Sequence, residues 1–374
     1  MNIIELHILQ SYPVSCLNRD DLGAPKSATF GGCTRARLSS QCLKRAHREL
    51  FKELTPQFAQ GVRTKLLVSA FSDIMAKRGK LLELHPDLAI DLAAVWSTLE
   101  SADSKTGKSK KGKASSEIER KMTTLAFVSP AEMDAMVEAA VLFYEGKKKG
   151  KGGNLEDINS KDTLASVSKA AAKDVKLMDA ADIALFGRMV AGQNSDLCIE
   201  GAAMFSHALS THRAEPEMDF YSAIDDLQPS DESGAGMTGV LEFSSACYYR
   251  YIAINLDLLK ENLKGVDDEE IKEILTAFIK SALESVPAAR KNSMNAFTRP
   301  GFVMGMRRSS TQPIQLVNAF ETPVRSKDGY LQASVDKLRE EWKNISEKWG
   351  LAADCIVEMP AVSESEFIKK LLEG

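Results

Sequence analysis

Apolar and polar positions alternate at the start of the chain. In NIIELHIL, residues 2–9, Ile4, Leu6 and Ile8 are separated by Glu5 and His7, the period-two pattern of a strand with one buried face. A Pro/Gly-bearing loop follows, and Ser39 or Ser40 then stands where a helix can be capped, although neither has Glu or Gln three residues on to complete a capping box. Projected on a helix, Leu43, Ala46, Leu50 and Leu54 share one face, while Lys44, Arg45, Arg48 and Lys52 gather on a neighbouring arc. One side can pack and the other can meet an anion.

Residues from about 59 to 185 read as mostly helical. The stretches SADSKTGKSKKGKASS and EGKKKGKGGN interrupt them, are too polar to form a core, and are predicted as mobile surface loops. Between Ala214 and about Leu241, Pro216, Pro229, Gly234, Gly236 and Gly239 break short apolar pieces, which predicts a projecting, hairpin-like arm. Strand character returns in SACYYRYIAINLDLL, with Tyr249, Tyr251 and Ala253 on one face and Arg250, Ile252 and Ile254 on the other. An amphipathic helix around 267–284, strands in FVMGMR and PIQLVNAF, and a helix from about Leu331 to Trp349 complete the pattern. With the helical insertion and the arm set aside, this order predicts an α+β fold close to a ferredoxin-like sheet, the scaffold of RNA-recognition modules.

Charge narrows the possibilities. The 374 residues carry a formal net charge of -4, so a generally basic nucleic-acid coat is excluded and any polyanion site must be local. Six scattered cysteines form no CxxC pair, which predicts reduced thiols in a cytoplasmic protein. The first residues lack the marks of a signal peptide, and no apolar stretch reaches membrane-spanning length, so no membrane partner is expected.

The basic arc gains weight from its surroundings. A charged helix face by itself is ordinarily just solvated, but Arg19, Lys26, Arg35 and Arg37 precede this helix, and free N–H groups at a helix N-terminus favour phosphate. A phosphate-backbone site is therefore expected. Catalytic motifs are wanting: TGKSKKGK has Ala102 where a phosphate-binding loop needs glycine, and the five histidines show no metal spacing. No cofactor and no metal are expected; His207 and His212 are read as structural, and His47 as packing.

The blocks SCLNRDD (15–21), FGG (30–32), RxRLSSQxLKR (35–45), DIALFGRM (182–189), SHALSTH (206–212), AIDDL (223–227), EFSSACYYRY (242–251), VNAFE (317–321) and KDGYLQ (327–332) occur in order over nearly the whole chain. Together they resemble the CasC family, the repeated backbone subunit of the type I-E CRISPR surveillance complex, Cascade. The resemblance implies a right-hand shape: a palm on a modified ferredoxin-like RNA-recognition fold, inserted helical fingers and a thumb hairpin. The corresponding boundaries are palm 1–58, fingers 59–185, palm 186–213, thumb 214–241 and palm with C-terminal helices 242–374. Copies of the chain would line up as a helical filament along a guide RNA (crRNA), beside other Cascade subunits, and present it to target DNA in antiviral defence.

Residue roles follow from the same resemblance. Arg19, Lys26, Ser40, Gln41, Lys44, Arg45 and Arg48 fall in or beside the guide-binding palm segment, and the preceding Arg35 and Arg37 join them. Met189 matches the residue that wedges beside a displaced nucleotide, with Arg188 next to it and Phe220, Tyr221 and Ser222 on the thumb in the same neighbourhood. Lys147, Lys148, Lys149, Lys151 and Lys161 fall where relatives hold target DNA, though their local order departs from the family and a solubilising loop is an equal reading; Lys105, Lys108, Lys110, Lys111 and Lys113 form another such patch. The family reading is non-catalytic. The alternative is a metal-dependent RNA endonuclease like the type III backbones, with an aspartate such as Asp20 or Asp21 in a palm loop; Asp225 and Asp226 lie near the thumb.

Overall fold

The computed structural model describes residues 1–78, 87–100, 121–149, 160–175, 177, 179–190, 195–224, 226, 237–309 and 312–373. In chain order the strands are β1 (Asn2–Ser15), β2 (Ser27–Phe30), β3 (Cys33–Leu38), β4 (Val62–Thr64), β5 (Ala126–Val128), β6 (Ala203–Phe205), β7 (Ala208–Ser210), β8 (Glu217–Ala223), β9 (Met237–Asn255), β10 (Phe302–Ser309) and β11 (Cys355–Met359). The helices are α1 (Ser40–Leu54), α2 (Leu67–Lys77), α3 (Leu88–Ala94), α4 (Pro130–Lys149), α5 (Ser160–Asp174), α6 (Ala181–Phe186), α7 (Leu256–Asn262), α8 (Asp268–Glu284), α9 (Leu331–Trp349) and α10 (Glu364–Glu373). The fold is α+β and its strands pair antiparallel.

Two compact units divide the chain. The first comprises Met1–Leu54, Ala203–Asp257 and Glu269–Gly374; the second comprises Thr55–Ala202 and Leu258–Asp268. In the first, strands run in the order β11-β10-β1-β9-β7-β3-β2, with β6 and β8 also paired to β9. In the second, helices surround the short β4–β5 pair over a core that includes Phe71, Trp96, Met136 and Val137, so the segment predicted as mostly helical also contains strands.

The alternation in β1 predicted one buried face; both faces are covered. Ile3 and Leu9 join Tyr249, Tyr251, Met304 and Met306 in a core closed by Leu316, Phe320, Val335 and Leu338. Opposite them, Arg250 donates to the Ala282 carbonyl of α8, and Gly305 leaves room for Phe367 and Leu371 of α10. Glu5 and His7 are fully buried; Glu5 is satisfied by three donors and His7 is paired at one ring nitrogen. Glu5 accepts from Arg308 (2.8 Å), the Tyr251 hydroxyl (2.7 Å) and the Ile314 N–H (2.6 Å); His7 Nδ1 and the Tyr249 hydroxyl lie 2.9 Å apart.

Other elements also depart from the pattern. PIQLVNAF, predicted as a strand, holds a 3₁₀ turn at Val317–Phe320, because Leu316 and Phe320, four apart, both enter the core. Strands β2 and β3 stand where a loop was expected, their signal broken by the buried Arg35. On α1 the buried side chains are Leu43, His47 and Phe51, one position round from the predicted stripe, since His47 packs between Phe205 and Phe278 at ring distances of 5.4 and 4.2 Å.

Candidate nucleic-acid interface

The start of α1 is fixed before any ligand arrives. Ser39 is its cap: the Ser39 Oγ accepts the Cys42 N–H (3.3 Å), and the Ser39 N–H donates to Asn18 Oδ1 (2.8 Å). Asn18 also accepts the Lys26 N–H through its carbonyl, and Lys26 in turn accepts the Arg37 N–H, both at 2.9 Å. Lys26 and Arg37 are thereby held by backbone ties. The Ser40 N–H donates to His207 Nδ1 (3.0 Å), so this ring accepts a proton bond at the helix start. Burial, then Arg37 and Lys26, push the His207 pKa down, which keeps that nitrogen an acceptor.

The cations of α1 continue from this point. The Lys44 ammonium sits 5.4 Å from the Phe205 ring, and partial burial lowers its pKa. Arg45 is exposed and paired to Glu49 at 2.8 Å, and Arg48 is half-buried on the same arc. Ser40 is half-buried and Gln41 exposed in the first turn. Arg19 is exposed on a loop that Asp20 closes: Asp20 Oδ1 accepts the N–H groups of Leu22 and Ala24, both at 2.9 Å. Asp20 is thus a turn-forming carboxylate. Among the described residues no group of three His, Cys, Asp or Glu is arranged to hold a metal.

Two arginines predicted to contact RNA are buried among protein acceptors. Arg35 is fully buried and spends its guanidinium on the carbonyls of Phe30 (3.2 Å), Ser210 (2.9 Å), Phe320 (2.7 Å) and Glu321 (3.3 Å), joining β2, β7 and the 3₁₀ turn. Arg188 is buried under the Trp96 ring and grips Glu132 at 2.7 and 2.8 Å, the Leu197 carbonyl at 2.9 Å and the Phe127 carbonyl at 3.2 Å. Each side chain is buried and spends most of its donors on protein acceptors.

Met189 is the opposite case. Its neighbours Arg188 and Val190 are buried, yet Met189 is 89% exposed. Arg188 pairs through its backbone with Ile199, and the Val190 N–H lies 3.2 Å from Cys198 Sγ, so the methionine is presented from a braced segment.

The arm is a β8–β9 hairpin. Its register, Met218↔Glu242, Phe220↔Val240 and Ser222↔Thr238, places Met218, Phe220 and Val240 on one face, all exposed. Tyr221 points to the other face, over Gly239, where a Cβ would meet its ring at 2.6 Å. Lys151 lies outside the described residues, as do Asp225, Lys105, Lys108, Lys110, Lys111, Lys113 and the side chains of Lys147, Lys148, Lys149 and Lys161; the backbone of 147–149 ends α4.

Sequence reasoning read His207 only as structural and missed its place at the head of α1. The signal available was its position in SHALSTH, a short strand-forming block that gives no hint of its long-range partner.

An antiparallel sheet with helices, a cationic helix start and an extended arm defines an α+β class. The chain belongs to the family described as CT1975-like protein, whose model matches residues 4–371. It is similar to a chain of the solved structure described as "CRISPR RNA-guided surveillance complex, pre-nicking", with 29% identity, 94% of this chain and 90% of that chain covered, and a TM-score of 0.72. A second, described as "CRISPR RNA-guided surveillance complex", shares the fold at 24% identity, covers 99% of both chains and has a TM-score of 0.66. No curated protein matches the chain. No helix among the described residues is long and apolar enough to cross a membrane.

Proposed function

We propose that the chain is a non-catalytic backbone subunit of a guide-RNA surveillance complex of the type I-E kind. The observation that carries this reading is the capped start of α1, where Lys26, Arg37 and His207 meet and from which Lys44, Arg45 and Arg48 continue. Similarity to a chain of an RNA-guided surveillance complex supports it. Phosphate oxygens would take the side-chain donors of Ser40 and Gln41, with the cations adding Coulomb attraction. Such contacts position a strand without reading its bases, as a subunit serving any guide requires.

In this reading the sheet unit is a ferredoxin-like palm, the second unit the fingers and the β8–β9 hairpin the thumb. Copies associate along crRNA as a filament with other Cascade subunits, and the finger lysines Lys147, Lys148, Lys149, Lys151 and Lys161 hold target DNA. Met189 and Phe220 are the apolar wedges that keep the guide kinked at intervals, a use of exposed apolar side chains known for unstacking bases. The turn role of Asp20 favours a scaffold over a metal-dependent nuclease.

Purified protein binding a short single-stranded RNA is expected to show a log–log salt slope of roughly -2, from about three phosphates neutralised per subunit. Fluorescence anisotropy checks it: Lys44→Ala with Arg48→Ala should flatten the slope, and affinity indifferent to salt would refute the reading. In assembled complex, Met189→Ala with Phe220→Ala should abolish periodic protection of the guide from chemical probing. Because both side chains are exposed, stability should change by less than about 0.5 kcal/mol.

A further inference from the structure

A second polar recess lies in the sheet unit, away from α1. It is a cavity of about 330 Å³ at the root of the arm, bordered by Cys33, His212, Arg213, Arg325, Ser326 and Tyr330. The rings of His212 and Tyr330 are stacked, with centroids 3.6 Å apart and planes 11° from parallel. His212 is immobilised from both sides: Nδ1–H donates to the Arg213 carbonyl (2.8 Å), and Nε2 accepts the Cys247 N–H (3.2 Å). Tyr330 remains 37% exposed on this support. Arg213 is held at 2.5 Å by the exposed Glu215, which offsets its charge, while exposed Arg325 contributes a second guanidinium.

We propose that this recess is a nucleotide subsite, in which a base of single-stranded nucleic acid stacks at Tyr330 and its phosphate meets Arg325 and Arg213. The inference rests on the nucleic-acid reading above and adds a second point of grip to it. A rigid aromatic platform beside guanidinium groups is the combination that holds single strands without base reading. The volume falls in the range of small-ligand pockets. Cys33 starts β3, and the other end of β3 leads into the Ser39 cap, so the two grips stand roughly 20 Å apart along one strand. An occupant reaching both must be a polymer, and at both ends it meets cations.

The free thiol of Cys33 reports occupancy directly. Full-length protein is alkylated with iodoacetamide with and without a saturating short single-stranded RNA, the modification of Cys33 is followed by peptide mass spectrometry, and RNA binding is measured in parallel by anisotropy. RNA is expected to slow Cys33 alkylation roughly tenfold, the size of one lost stacking contact. Arg325→Glu, a surface change, should remove that protection while anisotropy still reports binding at α1. Unchanged Cys33 reactivity on protein that anisotropy shows to be loaded would overturn the subsite and leave the nucleic-acid reading standing; absence of RNA binding would sink both. Protection by an oligoglutamate peptide but not by RNA would assign the recess to carboxylates and also overturn the proposal.

Discussion

Arg188→Met is expected to lower the unfolding free energy of the second unit by about 3–5 kcal/mol, the cost of leaving a buried charge without its partner. Glu132 is the charge at risk. It is buried, burial raises its carboxyl pKa against the pull of Arg188, and its Oε2 also accepts the Ser129 N–H at 2.9 Å. The substitution further strands the carbonyls of Leu197 and Phe127 and removes the cation 4.8 Å from the Trp96 ring. Urea unfolding followed by Trp96 fluorescence, in a background with Trp342→Phe and Trp349→Phe, isolates this unit. The double change Arg188→Met with Glu132→Leu should recover most of the loss, since two apolar side chains replace the pair without an orphan charge. A single variant as stable as the parent would show that the pair does not anchor the segment presenting Met189.

The second large effect is acid lability of the sheet unit. His7 and His47 are fully buried; burial first, and then Arg308 for His7 and Arg250 for His47, push both pKa values down to about 3. Unfolded chain takes up these protons near pH 6.5 while folded chain does not, so folding is favoured above the unfolded pKa and weakened as pH falls from there towards 3. Each histidine should remove about 2 kcal/mol between about pH 7.5 and 5, or about 4 kcal/mol together. Urea midpoints measured across that interval check the sum. His47→Leu, which keeps an apolar filler between Phe205 and Phe278, should remove about half of that 4 kcal/mol. A variant with the same acid profile as the parent would refute the assignment.

Local periodicity carried the long elements well, because α8, α9 and β9 each hold their pattern over many residues. It failed where a long-range partner decides the outcome. Glu5, His7, Arg35 and Arg188 are polar letters whose burial depends on Arg308, Tyr249, the Phe320 carbonyl and Glu132, far away in the sequence. The same limit shaped the site. Clustering of cations around α1 was visible as composition, but whether an arginine faces solvent or closes a core is set by acceptors elsewhere. Met189 is exposed between Arg188 and Val190, both buried, a contrast that local sequence does not show.

Strand β9 runs unbroken through nineteen residues, beginning in the hairpin beside β8 and ending between β1 and β6. One ribbon therefore sets the phase of both regions. Since side chains change sides at every step, lengthening that ribbon by a single residue would swap the surface bearing Phe220 for the one bearing Tyr221, whereas adding two would preserve it. The reach of the projection therefore varies most simply in even increments, an odd one needing a bulge such as the register shift β1 makes against β9 between Tyr12 and Ser15.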